Sequence, residues 1–89
     1  MFKIKLIDEE RTVVEGILKH LIQVIEDQGF DEEYSEDIIE HCRPILGNLH
    51  KKELVLTYNE ILFLEAHTKD VMIHTGSIQS KILIAKRKG

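Results

Sequence analysis

The chain has 89 residues, of which 43% are apolar, five are glycine and one is proline, so we expect one small folded domain rather than a disordered tail. The single cysteine, Cys42, leaves no partner for an internal disulfide and favours a reducing, cytoplasmic setting. No apolar run exceeds four residues and acids appear from residue 8 onward, so neither a membrane span nor a secretory signal is predicted.

The net charge of -4 is unevenly divided along the chain. Residues 1–47 carry twelve acids and five bases, whereas residues 48–89 carry four acids and seven bases. An acidic front and a basic back indicate two surfaces with different partners. The alternative interpretation is a solvated charge pattern without function.

The opening segment "MFKIKLI" is predicted to form a strand. Phe2, Ile4 and Leu6 fall on one face of that strand, and Lys3 and Lys5 fall on the other. This alternation is typical of a strand with one buried face.

A long amphipathic helix is predicted to follow, with Asp8 as its N-cap and Gly29 just past its C-terminal end. Acids at positions 9 and 10 suit the first turn of a helix. Gly16 lies inside the helix, and we interpret it as a place where another element approaches closely. The apolar stripe at three- and four-residue steps consists of Val13, Val14, Ile17, Leu18, Leu21, Ile22 and Ile25.

The segment "FDEEYSEDIIEHCRPILGN" predicts a second, shorter helix. Asp31 or Ser35 could cap it, and Pro44 is expected to end or kink it. Its predicted buried stripe consists of Ile38, Ile39 and Cys42.

From residue 52 onward the pattern favours strands. The segments "ELVLTY", "EILFLEA", "VMIHT" and "IQSKILIAK" are short and rich in β-branched and aromatic residues, with polar breaks between them. We therefore predict a single α+β domain over residues 1–89. It has an N-terminal strand and two helical segments, followed by a small, mostly antiparallel sheet of three or four strands.

Catalytic and metal-binding patterns are weak. His41 and Cys42 are neighbours in a helix, so their side chains diverge, and His67 with His74 supplies only two ligands. Cys42 in an apolar stripe is typical of a core residue. Phosphate-loop and nucleophile-elbow motifs are lacking, so we predict no enzyme, no metal and no cofactor.

The segment "KKELVLTYNEILFLEAHTKDVMIHTGSIQSKI" resembles the first half of a LytTR DNA-binding domain, the effector module of many bacterial response regulators. The likeness covers residues 53–82. It matches a strand at 54–57, an acidic turn at 58–60, an Ile-x-x-x-Glu strand at 61–65, a polar turn at 66–70, and a strand ending in His-Thr at 71–75.

That resemblance implies a transcriptional regulator, or a truncated fragment of one, that binds DNA through its basic half. Thr68, Lys69 and Asp70 would occupy an exposed hairpin tip. The resemblance implies DNA contact at Lys69, flanked by His67 and Thr68. The basic charge of the last stretch adds non-specific phosphate contacts from Lys81, Lys86, Arg87 and Lys88. The N-terminal segment is also similar to the first strand, acidic pair and first helix of a receiver domain. The phosphoacceptor strand does not follow, so phosphotransfer is not implied.

Two functions from different classes remain open at this point. One is the DNA-binding regulator, whose acidic helical half would meet a protein partner. The other is a non-enzymatic adaptor that binds another regulator through its helix face or a sheet edge without touching DNA. An incomplete sheet leaves an edge that another chain could extend, and the first helix has a broad apolar face, so a homodimer through either surface is also expected.

Overall fold

The computed structural model describes residues 1–29, 31–69 and 75–88. Its elements in chain order are β1 (Phe2–Ile4), α1 (Asp8–Gln28), α2 (Glu32–Asn48), β2 (Leu54–Leu56), α3 (Tyr58–Thr68) and α4 (Thr75–Lys88). The predicted α+β class is confirmed, although helices predominate.

The sheet of the described residues consists of β1 and β2, which pair in antiparallel register with Lys3 opposite Val55. Ile4, Leu54 and Leu56 are buried on its inner face, while Lys3 is exposed on the outer face. The alternation predicted for the N-terminal strand is therefore confirmed. Of the strands predicted after residue 52, the first is confirmed as β2.

The first helix is confirmed, with two corrections. Ile7, not Asp8, is the N-cap residue, and its backbone N–H donates to the Glu10 carboxylate over 2.9 Å. Gly29 ends the helix with φ of 64°, the left-handed conformation that glycine adopts without strain. The prediction for Gly16 is wrong, because a Cβ built there would meet no atom within 4 Å.

The second helix is also confirmed, with Asp31 at its N-cap and Ile38, Cys42 and Ile45 buried. Pro44 does not end it, since the helix continues to Asn48. The proline lies on the exposed face, where a break in backbone hydrogen bonding is accessible to water.

The strand predicted at residues 60–66 is wrong, because this segment belongs to α3. The hydroxyl of Thr57 accepts the backbone N–H of Glu60 at 3.2 Å, and the Glu60 carboxylate accepts the N–H of Thr57 at 2.8 Å. This reciprocal capping box starts the helix. Ile61, Leu64 and Thr68 are buried on one face, at spacings of three and four residues.

The strand predicted at residues 78–86 is likewise wrong, because this segment lies in α4. Ile78, Ile82 and Ala85 are buried at four- and three-residue steps, the spacing of one helix face. The remaining predicted strand, "VMIHT", lies almost entirely outside the described residues. The described part of the chain thus has a two-stranded sheet instead of three or four strands after residue 52.

One apolar core joins all six elements, and α4 packs against β1, α1 and α3. β1 therefore contacts both β2, with which it pairs, and α4. None of the described helices has the length and apolar character that a membrane crossing requires. The fully buried members of the core are Val14, Leu18, Cys42, Ile45, Leu49, Leu56, Ile61, Leu64, Ile78 and Ile82.

Candidate functional site

A groove of about 430 Å³ lies between β1 and α4. Residues 1–5 form one side of it, and Lys81, Ile84, Ala85 and Lys88 of α4 form the other. We call this feature the basic groove. Since α4 contributes positions i, i+3, i+4 and i+7, a single helix face forms that wall.

The backbone edge of β1 borders the basic groove. Five consecutive residues line it, and consecutive side chains of a strand point to opposite faces of the sheet. Side chains from both faces of the sheet can line one opening only at the edge of the strand. We therefore infer that the groove runs along this edge. The other edge of β1 pairs with β2, and no described strand pairs with β1 on the groove side. Among the described residues, this edge of β1 is therefore unpaired by another strand.

The charge of the groove is positive. Lys3, Lys5 and Lys88 are exposed, Lys81 has one third of its side chain exposed, and no acid is present among the described residues that line the groove. The apolar part is also accessible, because half of Ile84 is exposed to solvent. The groove thus combines cations with an aliphatic surface.

A buried carboxylate holds the wall of the groove in place. Glu10 is only 2% exposed, contacts the ammonium group of Lys81, and accepts a hydrogen bond from the Ser77 hydroxyl at 2.7 Å. Burial alone would raise the pKa of Glu10, but its hydrogen bonds with Lys81, the Ile7 N–H and Ser77 outweigh burial and lower that pKa below its usual value. Glu10 therefore stays ionised and ties α4 to α1.

The three DNA-binding residues predicted at the turn do not form an exposed tip. The His67 ring lies against Phe63 with centroids 4.2 Å apart, at the end of α3. Thr68 is fully buried, and its hydroxyl donates to the Leu64 carbonyl at 2.8 Å, so its predicted exposure is wrong. Lys69 follows the helix and is exposed.

Asp70, the third residue of the predicted tip, lies outside the described residues. The four predicted residues on α4 divide into two groups. Lys81 and Lys88 line the basic groove. Lys86 instead forms an ion pair with Glu65 of α3 at 3.1 Å, and Arg87 is exposed beside it.

Sequence interpretation missed Lys3, Lys5 and Ile84. The strand pattern placed both lysines on the face away from the core but assigned them no role. A useful signal was the helical spacing of residues 81, 84, 85 and 88, which becomes visible only if this segment is treated as a helix.

A second, polar cavity of about 370 Å³ lies where α2 meets the start of α3. His41 lines it, and its ring stacks on Phe63 at a centroid distance of 5.2 Å. Its Nδ1 lies 2.7 Å from the Asp37 carbonyl oxygen, so this nitrogen is already engaged. Within residues 1–29, 31–69 and 75–88, no group of three or more His, Cys, Asp or Glu side chains could hold a metal ion.

Cys42 lies fully inside the core. Burial raises the pKa of its thiol to about 11, because the thiolate would be poorly solvated there. The thiolate is the reactive form of cysteine, so this environment suppresses nucleophilic chemistry.

No family model matches the chain, and no curated protein and no solved structure is similar to it at a significant level. The resemblance to a LytTR domain remains a prediction. The segment at residues 61–65, which that resemblance treats as a strand, is part of α3.

Proposed function

We propose that the chain is a non-enzymatic adaptor that binds another protein through the basic groove. The observation that carries this proposal is the open edge of β1 inside a groove walled by α4. A strand edge presents unpaired backbone N–H and C=O groups, and an extended peptide can add to such an edge as a further strand.

The size and shape of the groove favour a peptide. Residues 1–5 span roughly 17 Å at about 3.3 Å per residue, enough to pair with a short extended segment. Base reading in DNA normally uses a protruding helix or ribbon that enters the major groove, whereas this site is a recess. The net charge of -4, with most acids on the first two helices, also disfavours a polyanion.

A second candidate function is DNA binding by a small LytTR-like regulator. It is favoured by the exposed cations Lys3, Lys5 and Lys88 around one groove, with Arg87 next to Lys88. Such side chains bind phosphates with an affinity that falls steeply as salt increases. Both candidates would act in the cytoplasm, the setting that the lone cysteine favours.

Two experiments test the two candidates. The first selects binders from a displayed library of short random peptides, and the second titrates the protein with a random-sequence DNA duplex. The variant Lys3→Glu/Lys5→Glu reverses the charge of β1. The matched control Lys51→Glu/Lys52→Glu makes the same change in net charge on an exposed loop that does not line the groove. We expect the wild-type protein and the control to enrich peptides, and the β1 variant to lose the enriched set.

Two results would contradict the adaptor. If no peptide is enriched, the groove is not a peptide site. If the duplex binds at low salt, and the β1 variant but not the control abolishes that binding, the DNA-binding regulator becomes the supported function.

A further inference from the structure

We propose that the basic groove recognises an extended protein segment in which acidic and apolar residues alternate, added as a third strand to the open edge of β1. This inference rests on the adaptor function proposed above and specifies the chemistry of the partner. It follows from what each face of an added strand would meet.

The inner face of an added strand would meet aliphatic side chains. Phe2 packs against the core and Ile4 is buried within it, and α4 contacts the same strand. A strand next to β1 continues the sheet, so every second side chain points toward Ile84 and Ala85 on α4. Ile84 is half exposed, and an apolar side chain placed on it would remove that surface from water.

The outer face of an added strand would meet lysines. Lys3 lies in β1 and Lys5 directly follows the strand. Both are exposed, and at alternate positions of an extended chain they share one face about 7 Å apart. Side chains directly opposite on neighbouring strands stabilise the pair when their charges are opposite and destabilise it when they are alike. Acidic residues at the alternate positions therefore match this face.

The described residues of the groove supply no counter-charge for these lysines. No acid lines it among the described residues, and the nearest buried acid, Glu10, is already engaged by Lys81, Ser77 and the Ile7 N–H. Lys88 adds a further exposed cation at the end of the helical wall. Charge complementarity thus selects an acidic occupant.

A second copy of the chain fits this edge poorly. Two β1 strands paired about a two-fold axis would bring Lys3 and Lys5 of both copies onto neighbouring strands, where like charges repel. A helical occupant would leave the strand edge unpaired. A nucleic acid matches the charge but offers no apolar side chain for Ile84.

Binding of the selected peptides to the wild-type protein tests this inference, and here the peptide is varied instead of the protein. We expect enriched sequences to alternate acidic and apolar residues. Replacing the acids of one such peptide by their amides should weaken binding by about tenfold or more, because each replacement removes a charge-assisted contact. Two N-methylated forms, each blocked on alternate backbone nitrogens, should differ: one keeps its affinity and the other loses it, since only one edge of the peptide pairs with β1.

A matched pair of variants tests the apolar contact. Ile84→Ala should weaken binding of the selected peptide. Leu83→Ala, the neighbouring exposed aliphatic that does not line the groove, should leave binding unchanged. Circular dichroism of both variants is the check that they remain folded.

The outcomes separate this inference from the function on which it rests. Strand addition is contradicted if the enriched peptides lack alternating acids, if their apolar residues have helical spacing, or if both N-methylated forms bind. The adaptor function would still stand in each case. A DNA duplex that displaces the selected peptide at equal charge concentration also overturns the assignment to an acidic protein segment. If the library yields no binder, the adaptor function itself is contradicted.

Discussion

At the scale of single residues, Glu10 is the charged side chain with the strongest effect expected on stability. Burial alone would raise its pKa, but in the folded chain that pKa is lower than the ordinary glutamate value of 4.5, because hydrogen bonds from Lys81, the Ile7 N–H and Ser77 favour the carboxylate. The carboxylate therefore stabilises the fold fully at pH above the ordinary value of 4.5, and this contribution is lost as pH falls through the lower folded pKa. We expect the wild-type free energy of unfolding to decrease in that acidic range, as measured by urea titration at several pH values.

The substitution Glu10→Gln should lower the free energy of unfolding at pH 7 by about 1–3 kcal/mol, because the charge-assisted bonds to Lys81 and Ser77 are weakened inside the protein. The free energy of unfolding of this variant should then change less with decreasing pH than that of the wild type. Glu9→Gln is the control, since Glu9 is exposed in the same helical turn. Equal urea midpoints for the two variants at pH 7 would contradict this role of Glu10.

Cys42 should be chemically inert while the protein is folded. With a pKa of about 11, only about one thiol in a thousand is ionised at pH 8, and the side chain is fully buried. We expect a chromogenic disulfide reagent to label Cys42 rapidly in denaturant and only through transient opening in buffer. Equal labelling rates in the two conditions would show that the thiol is accessible in the folded chain.

At the scale of elements, the glycine inside α1 and the glycine directly after it should respond to alanine in opposite ways. Gly16→Ala should raise the free energy of unfolding by about 0.5–1 kcal/mol, because the helix interior there has open space for a Cβ. Gly29→Ala should lower it, because φ of 64° strains any residue with a Cβ. Thermal unfolding of the two variants checks this. A stabilising Gly29→Ala would show that the helix does not end in the left-handed conformation.

The start of α3 depends on its capping box. Thr57→Ala should reduce the free energy of unfolding by about 1 kcal/mol, because the first turn loses the acceptor for the Glu60 N–H. Thr12→Ala, at an exposed position inside α1, is the control and should change it by less than about 0.5 kcal/mol. A neutral Thr57→Ala would favour the strand that the sequence pattern predicted at this position.

The same capping box explains why the second half of the chain was partly mispredicted. The run at residues 61–64 is continuously apolar, and such a short run is compatible with a buried strand or a buried helix. The pair Thr57 and Glu60, three residues apart, is the sequence signal for a helix start. In the folded chain this signal prevails over the strand preference of the β-branched residues. By contrast, α1 was predicted correctly because its stripe repeats over many turns, which no strand pattern imitates.

For the candidate site, the sequence predicted individual charges but not their arrangement. Lys81 and Lys88 were chosen as cations on a basic segment, and they do line the groove. Lys3 and Lys5 lie more than seventy positions away in the chain and join them only because α4 packs beside β1. A long-range contact of this kind depends on the packing of the whole core, which periodicity does not encode.

At the scale of the whole molecule, acidic helices and the basic groove belong to different surfaces. Twelve acids fall within residues 1–47, mostly on exposed positions of α1 and α2, whereas the groove is formed by β1 and α4. An approaching acidic segment would be repelled by the first surface and attracted by the second. This asymmetry orients an encounter before any contact forms.

The same charge distribution also affects self-association. The sequence predicts a homodimer, which remains a prediction. A symmetric dimer through the β1 edge would place Lys3 and Lys5 of both copies together, so salt that screens their repulsion should favour it. We expect light scattering to show a monomer at low salt and a growing dimer fraction at high salt. The variant Lys3→Gln/Lys5→Gln should dimerise at low salt, because the repulsion is removed. A dimer that is insensitive to both changes would have its interface away from the basic groove and would leave the β1 edge open to a partner.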